Sequence, residues 1–208
     1  MTLEDIQIEW NDEYRLWWPN NEEAHVYKTM LMRVTDIDTL VKYTRTLGVC
    51  VQAGGFIGMW PARLAKFFER VYTFEPIPHL YECVRRNTNH LPSVRVYNNL
   101  LGNAMGDVKL HAKRNGCTAV HPNGEITAKA ITIDSLALIR CDAIYLDVEQ
   151  YELDVLDGAR NTIVFFQPTV MLEIKGPDTS AKYDEFMRLN FRYKKAFQIH
   201  SDRIYVPE

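Results

Sequence analysis

The stretch Val49-Cys-Val-Gln-Ala-Gly-Gly-Phe-Ile-Gly58 decides the fold. Its first five residues are apolar apart from Gln52, as a strand buried on both faces requires, and Gly54, Gly55 and Gly58 then turn the chain without side chains in the way. Beyond them Ile57, Pro61, Leu64, Ala65 and Phe68 mark the apolar side of a helix, with proline in the first turn where its missing N–H costs little. Such a strand, turn and helix present bare backbone to a bound phosphate or carboxylate. The next apolar run, Arg70-Val-Tyr-Thr-Phe-Glu75-Pro76, ends in an acid about twenty residues past the glycines, where a second parallel strand delivers a carboxylate to two vicinal ribose hydroxyls. The two signals together predict a nucleotide-like cofactor over Gly54, Gly55 and Gly58, with Glu75 on its ribose.

Working outward, Val26, Met30, Val34, Ile37 and Val41 recur three or four apart, which predicts one broken helix or two packed beside the first strand. Upstream, Trp10, Tyr14, Trp17 and Trp18 precede Pro19-Asn-Asn21 with neither helix nor strand period. Residues 1–44 are therefore read as an extension, an aromatic segment plus helix, and 45–208 as the main domain. The extension is expected on the domain's own core, with the acceptor side of a site or a second copy in a homodimer as the functional alternatives. Downstream, the pattern predicts a helix over 78–90, a third strand over 94–97, an edge or hairpin strand over 107–112, and a helix start at Asp134-Ser135. Asn115-Gly116 and Pro122-Asn-Gly124 punctuate a loop, holding Cys117, Thr118 and His121, that is placed to lie over a site. A fourth strand over 143–149, a helix over 151–161 and a fifth strand over 169–174 follow, then an antiparallel pair over 193–198 and 203–206. Strands and helices alternating at these lengths indicate an α/β fold with a mostly parallel, doubly wound sheet, finished by the C-terminal pair.

The composition narrows the function. With 208 residues and 47% hydrophobic content, one substantial core can be buried. Its 24 basic and 27 acidic side chains leave a net charge of -3, so no overall positive field recommends nucleic acid as a partner. The four cysteines are scattered without a Cys-x-x-Cys pair, which suggests a reducing compartment, and with no basic apolar leader or membrane-length apolar run a cytoplasmic location is expected. The six histidines have no ligand spacing, so no zinc site is expected; a magnesium ion at Asp147 stays an open alternative.

Three segments together resemble the FkbM-type family of S-adenosylmethionine-dependent methyltransferases. The family's first motif, Val-Asp-x-Gly-Ala-x-x-Gly, is similar to Val51-Gln52-Ala53-Gly54-Gly55-Phe56-Ile57-Gly58, and its second, Phe-Glu-Pro, stands as Phe74-Glu75-Pro76. Its third, Asp-x-x-Lys-Ile-Asp-Val-Glu-Gly-x-Glu-x-x-Val-Leu-x-Gly-Ala, is similar to Asp142-Ala-Ile-Tyr145-Leu-Asp147-Val-Glu149-Gln150-Tyr-Glu152-Leu-Asp-Val155-Leu156-Asp-Gly158-Ala159. Ile133-Asp134-Ser135-Leu136 and the segment 168–174 also resemble members, so the likeness covers about 45–175. The chain departs from the pattern at Gln52, where an acid is usual, at Tyr145 for lysine, and at Gln150 for glycine.

The resemblance implies a Rossmann-like class I methyltransferase fold that binds S-adenosylmethionine. Gln52, Gly54, Gly55, Phe56, Gly58 and Asp147 would surround the cofactor, with Glu75 on the ribose and Asn98 and Asn99 near the adenine. The implied reaction is methyl transfer to an oxygen of a small-molecule or carbohydrate acceptor. Because this is an in-line displacement, orientation is the main demand, and a base is needed only for a neutral hydroxyl. Asp147 is the candidate base or orienting group, with Glu149 beside it on one strand face and Glu173 at the end of the next strand. One rival is an NAD(P)-dependent oxidoreductase, weakened because Ala53 stands at the first glycine of Gly-x-Gly-x-x-Gly. Another is a cofactor-binding protein without catalysis, suggested by Gln52 and Gln150. A nucleic-acid methyltransferase is disfavoured by the charge balance and by the lack of an Asn/Asp-Pro-Pro-aromatic motif.

Overall fold

The computed structural model describes residues 6–112, 118–175 and 177–208. The N-terminal segment, which lacked a readable period, forms an antiparallel hairpin of β1 (Ile8–Asn11) and β2 (Leu16–Pro19). Trp10 stands opposite Trp17 in the register, their rings edge-on at 5.9 Å, and that cross-strand aromatic pair supplies what alternation does not. The predicted broken helix is α1 (Ala24–Arg33), a 3-10 turn (Val34–Asp36) and α2 (Ile37–Tyr43). Then come β3 (Val49–Ala53), α3 (Met59–Leu64), β4 (Arg70–Phe74), α4 (Pro78–Thr88) and β5 (Val94–Tyr97).

A second, four-stranded sheet follows: β6 (Leu100–Leu101), β7 (Gly106–Ala112), β8 (Thr118–Val120) and β9 (Ile126–Ile131), in the order β6-β9-β7-β8. Of these only β7 was anticipated, as a hairpin strand. Cys117 of the punctuated loop lies outside the described residues. Asp134 begins only a 3-10 turn (Asp134–Leu136), not a full helix. The chain ends with β10 (Ala143–Leu146), α5 (Glu152–Asp157), α6 (Arg160–Phe166), β11 (Thr169–Glu173), α7 (Pro177–Phe191), β12 (Tyr193–Ile199) and β13 (Asp202–Pro207). The single helix expected over 151–161 is thus two, broken at Gly158-Ala159. The carboxylate of Asp134 explains the break: it accepts from the N–H of Asn161 at 3.0 Å and of Thr162 at 2.8 Å, capping the start of α6. Helix α7 had no sequence expectation.

The main sheet has seven strands in the order β12-β13-β11-β10-β3-β4-β5. From β11 to β5 the pairs are parallel, and β13 is inserted antiparallel between β11 and β12, which realises the expected C-terminal pair. Alternate strand residues divide between two cores. Cys50, Val71, Tyr145, Met171 and Ile204 face Ile37, Leu40, Trp60, Leu64 and Leu80; Val51, Phe74, Ile144, Leu172 and Tyr205 face Val155, Leu156, Ile163, Tyr183 and Met187. Both faces of the sheet are covered, which is why β3, β10 and β11 read as nearly unbroken apolar runs. Cys50, Cys83 and Cys141 are buried free thiols. Among the described residues no helix is long and apolar enough to cross a membrane.

Candidate active site

Starting from β3, strands β4 and β5 are added on one side and β10 and β11 on the other. The order therefore reverses between β3 and β10, and a crevice opens beyond the carboxyl ends of these two strands. The chain passes closely there. The N–H of Asp147 donates to Ala53 O at 3.1 Å, and Gly54 sits at φ +86, where an added Cβ would fall 1.9 Å from Asp147 O. Gly58, at φ +96, opens α3. Gly55 lies against Thr73, Val84 and Glu75.

Glu75 is buried at the mouth of the crevice. One carboxylate oxygen accepts from the N–H of Phe56 at 2.8 Å and the other from the N–H of Ile77 at 3.0 Å. Burial nevertheless pushes its pKa up to about 7, against those two hydrogen bonds. Gln52 lies behind the turn, fully buried, and its amide donates to Ala53 O at 3.0 Å and Gly54 O at 2.9 Å while accepting from the Thr73 hydroxyl. An acid here could make neither donation, so the amide braces the turn in a way a carboxylate cannot.

Two pockets meet at Gly54, Glu75, Asp147 and Glu149. The first, of about 510 Å³, has apolar walls from Phe74, Leu101, Leu110, Val120 and Tyr151, with Asn99 at its rim. The second, of about 770 Å³, lies on the other side and is lined by α1 together with Phe56, Trp60, Glu173 and Lys175. Asn98 is tied down, its amide donating to Glu75 O at 2.9 Å and Pro76 O at 3.1 Å, and Asn99 donates to Lys129 O at 3.1 Å. In the loop beyond β8, His121 accepts from the Asn123 N–H at 3.2 Å and does not line either pocket.

Strand β10 stops at Leu146, so Asp147 and Glu149 do not share a strand face as the sequence reading had it; they stand in the turn that follows. Glu149 and Gln150 there have φ of 56 and 73, the left-handed region. Glu152, completely buried, holds this turn: it accepts from the N–H of Val148 at 3.1 Å and from the Tyr183 hydroxyl at 2.5 Å. The bend brings Asp147, Glu149 and Glu173 together, with one oxygen of each within 4.8 Å of the others. Lys175 already lies among them, 2.6 Å from Glu149 and 3.2 Å from Glu173.

The acids share charge unequally. Burial, then Glu173 beside it, raises the pKa of Asp147 well above the usual carboxylate range. For Glu173 burial also acts upward, but the hydrogen bond with Asp147 and the cations Lys175 and Arg33 outweigh it, and its pKa is lowered. The two pKa values are thus driven apart, Asp147 upward and Glu173 downward. Tyr145, in place of the family's lysine, is buried with its ring edge-on to Trp60 at 6.1 Å, and burial raises its hydroxyl far above the usual range. Sequence reasoning missed Lys175, Trp60 and Arg33; for Arg33 the available signal was its spacing from Val26 and Met30 on one helix face.

The fold and the crevice define a Rossmann-like protein of the methyltransferase type. The model of the Methyltransferase FkbM domain matches residues 57–196, and the chain belongs to that family. A solved FkbM methyltransferase from Methylobacillus flagellatus KT superposes with a TM-score of 0.59 at 17% identity, covering 89% of this chain and 56% of that one. This chain therefore spans little more than half of that relative. The ribosomal protein L11 methylase of Lactobacillus delbrueckii subsp. bulgaricus has a TM-score of 0.57 at 8% identity, covering 85% of this chain and 78% of its own. Precorrin 8w decarboxylase of Methanobacterium thermoautotrophicum has 0.53 at 12%, covering 86% and 90%. At such identities the likeness is one of fold. No curated protein sequence matches the chain. Family membership removes the basis for the oxidoreductase reading.

Proposed function

We propose that the chain is an S-adenosylmethionine-dependent methyltransferase acting on a hydroxyl of a small molecule or carbohydrate. The observation that carries this reading is the crevice where two pockets join around Gly54, Glu75 and Asp147, in a chain of the FkbM family. Its residues fit the cofactor. Phe74, Leu101, Leu110 and Tyr151 offer an apolar slot for a base, Glu75 a buried carboxylate for a ribose diol, and Glu149 a carboxylate for an ammonium. The backbone at Gly54 leaves room for close approach.

Bound there, S-adenosylmethionine supplies a methyl carbon on a positively charged sulfur that leaves as a neutral thioether. What the chain must add is orientation and a place for one proton. We assign the proton to Glu173, the member of the acid pair whose pKa is lowered, with Lys175 at 3.2 Å. Asp147, keeping its own proton, donates a hydrogen bond instead. This divides the work between two carboxylates by their surroundings, and moves the base from Asp147, the first choice on sequence, to its neighbour. Trp60 and Phe56 provide apolar walls against which an acceptor can rest.

The test is calorimetry with S-adenosylhomocysteine on the intact chain and on Glu75→Ala. Loss of the ribose acceptor is expected to weaken binding by about 1.5–3 kcal/mol. Equal affinities would remove Glu75 from the sugar, and no binding to the intact chain would end the reading. Binding without turnover across a panel of alcohols would instead favour a catalytically silent member.

A further inference from the structure

The acceptor-side pocket has a wall that lies outside the family-matched residues 57–196. Val26, Thr29, Met30 and Arg33 are spaced i, i+3, i+4 and i+7 on α1, so they form one helical stripe, and all four line the pocket. Three of them shape the wall; Arg33 brings a charge to the floor. Its guanidinium is fixed from behind, Nη2 donating to Ser201 Oγ at 2.7 Å and Asp202 Oδ2 at 2.8 Å in the turn before β13 and at its start. Its Nη1 faces Glu173, whose Oε1 lies 3.6 Å away, too far for a direct hydrogen bond. Among the described residues Nη1 makes no hydrogen bond. Glu173 Oε1 takes a long contact from Ser201 Oγ at 3.4 Å and its other oxygen is engaged by Lys175, while the carboxyl also hydrogen-bonds Asp147, which leaves lone pairs on a carboxylate that has about four acceptor positions.

A donor and an acceptor held this close, yet not bonded to each other, suit a group that accepts from the first and donates to the second. One hydroxyl oxygen does both. A carboxylate or phosphate only accepts and is repelled by Glu173; an ammonium only donates and is repelled by Arg33. We infer that Arg33 is an acceptor-binding residue which, with Glu173, brackets the attacking hydroxyl and sets a preference for alcohols over acids and amines. This rests on the methyl-transfer reading above. It adds a residue contributed by the N-terminal helix, so that part of acceptor choice resides outside the domain the family shares.

Three probes of one chain length test it: propan-1-ol, propionate and propylamine, titrated into the S-adenosylhomocysteine-loaded chain while the indole N–H of Trp60 is followed by NMR. The alcohol is expected to half-saturate at a concentration at least roughly fivefold below either charged probe. In Arg33→Lys and Arg33→Met that preference should disappear, with S-adenosylhomocysteine affinity kept within about twofold. An alcohol that does not bind, binds no better than propionate or the amine, or keeps its advantage in both variants overturns the inference. Should neither variant fold, the wild-type comparison still decides. Failure of S-adenosylhomocysteine to bind would bring down the methyl-transfer reading and this inference together; binding of it without the alcohol preference would bring down the inference alone.

Discussion

On the side proposed for the nucleoside the crevice is shaped by backbone, through Gly54 packed on the Asp147 carbonyl and Glu75 fixed by the N–H groups of Phe56 and Ile77. On the side proposed for the acceptor it is shaped by side chains that arrive from separate parts of the chain: Met30 and Arg33 from α1, Trp60 from α3, Glu173 and Lys175 from β11 and just beyond. Backbone placement depends on a few residues that admit no substitute. Side-chain placement depends on how distant segments happen to pack, and can be altered one residue at a time. A fold that keeps one cofactor while exchanging acceptors needs this division.

The largest effect that sharpens the contrast is expected at Gly54, one of the four residues both pockets share. Gly54→Ala would put a methyl against Asp147 O and force a side chain into φ +86, and should cost on the order of 4 kcal/mol in urea denaturation. A loss below about 1 kcal/mol would show that backbone does not govern the crevice as described.

A smaller effect tests the carboxyl proposed for the ribose. Glu75 has its pKa raised by burial from 4.5 to about 7, so between those values the native chain holds a proton that the unfolded chain has released. The stability this contributes is fully present below pH 4.5 and is lost as pH rises through 7. Between pH 5 and 8 the unliganded wild type should therefore lose roughly 2–3 kcal/mol relative to Glu75→Gln, measured by denaturation at each pH. A constant difference between the two would mean that the carboxyl titrates normally.

The smallest effect lies in the turn between the halves. Gln150 holds φ 73 where the family pattern has glycine, so Gln150→Gly should stabilise the chain by about 0.5–1 kcal/mol, seen as a raised Tm. Destabilisation would indicate that the Gln150 side chain secures the turn.

These expectations also trace what the sequence could convey. The glycines, Glu75 and the parallel strands β3, β4, β5, β10 and β11 were legible because a doubly covered sheet demands apolar runs and a tight passage demands glycine. The hairpin of β1 and β2 was hidden, since its order comes from Trp10 against Trp17 and from Asn87, which accepts from the Trp17 N–H at 2.7 Å, seventy residues away in sequence. In β9, Ile126-Thr-Ala-Lys-Ala-Ile131 does alternate in burial, but its alanines give a weak signal. Asp147, Glu149 and Glu173 were named from motif and strand ends, yet the opposite pKa shifts of Asp147 and Glu173 depend on burial and on Lys175 and Arg33, and no spacing along the chain encodes that.

The link from Arg33 to Ser201 and Asp202 ties the first long helix to the closing hairpin, across 168 and 169 positions of sequence. The strand and turn around Gly54 need the chain only as far as β10 and Asp147, whereas the α1 wall of the second pocket has no anchor until Ser201 and Asp202 are in place and β13 lies between β11 and β12. Shortening that end would be expected to blur selectivity before it disturbs cofactor capture.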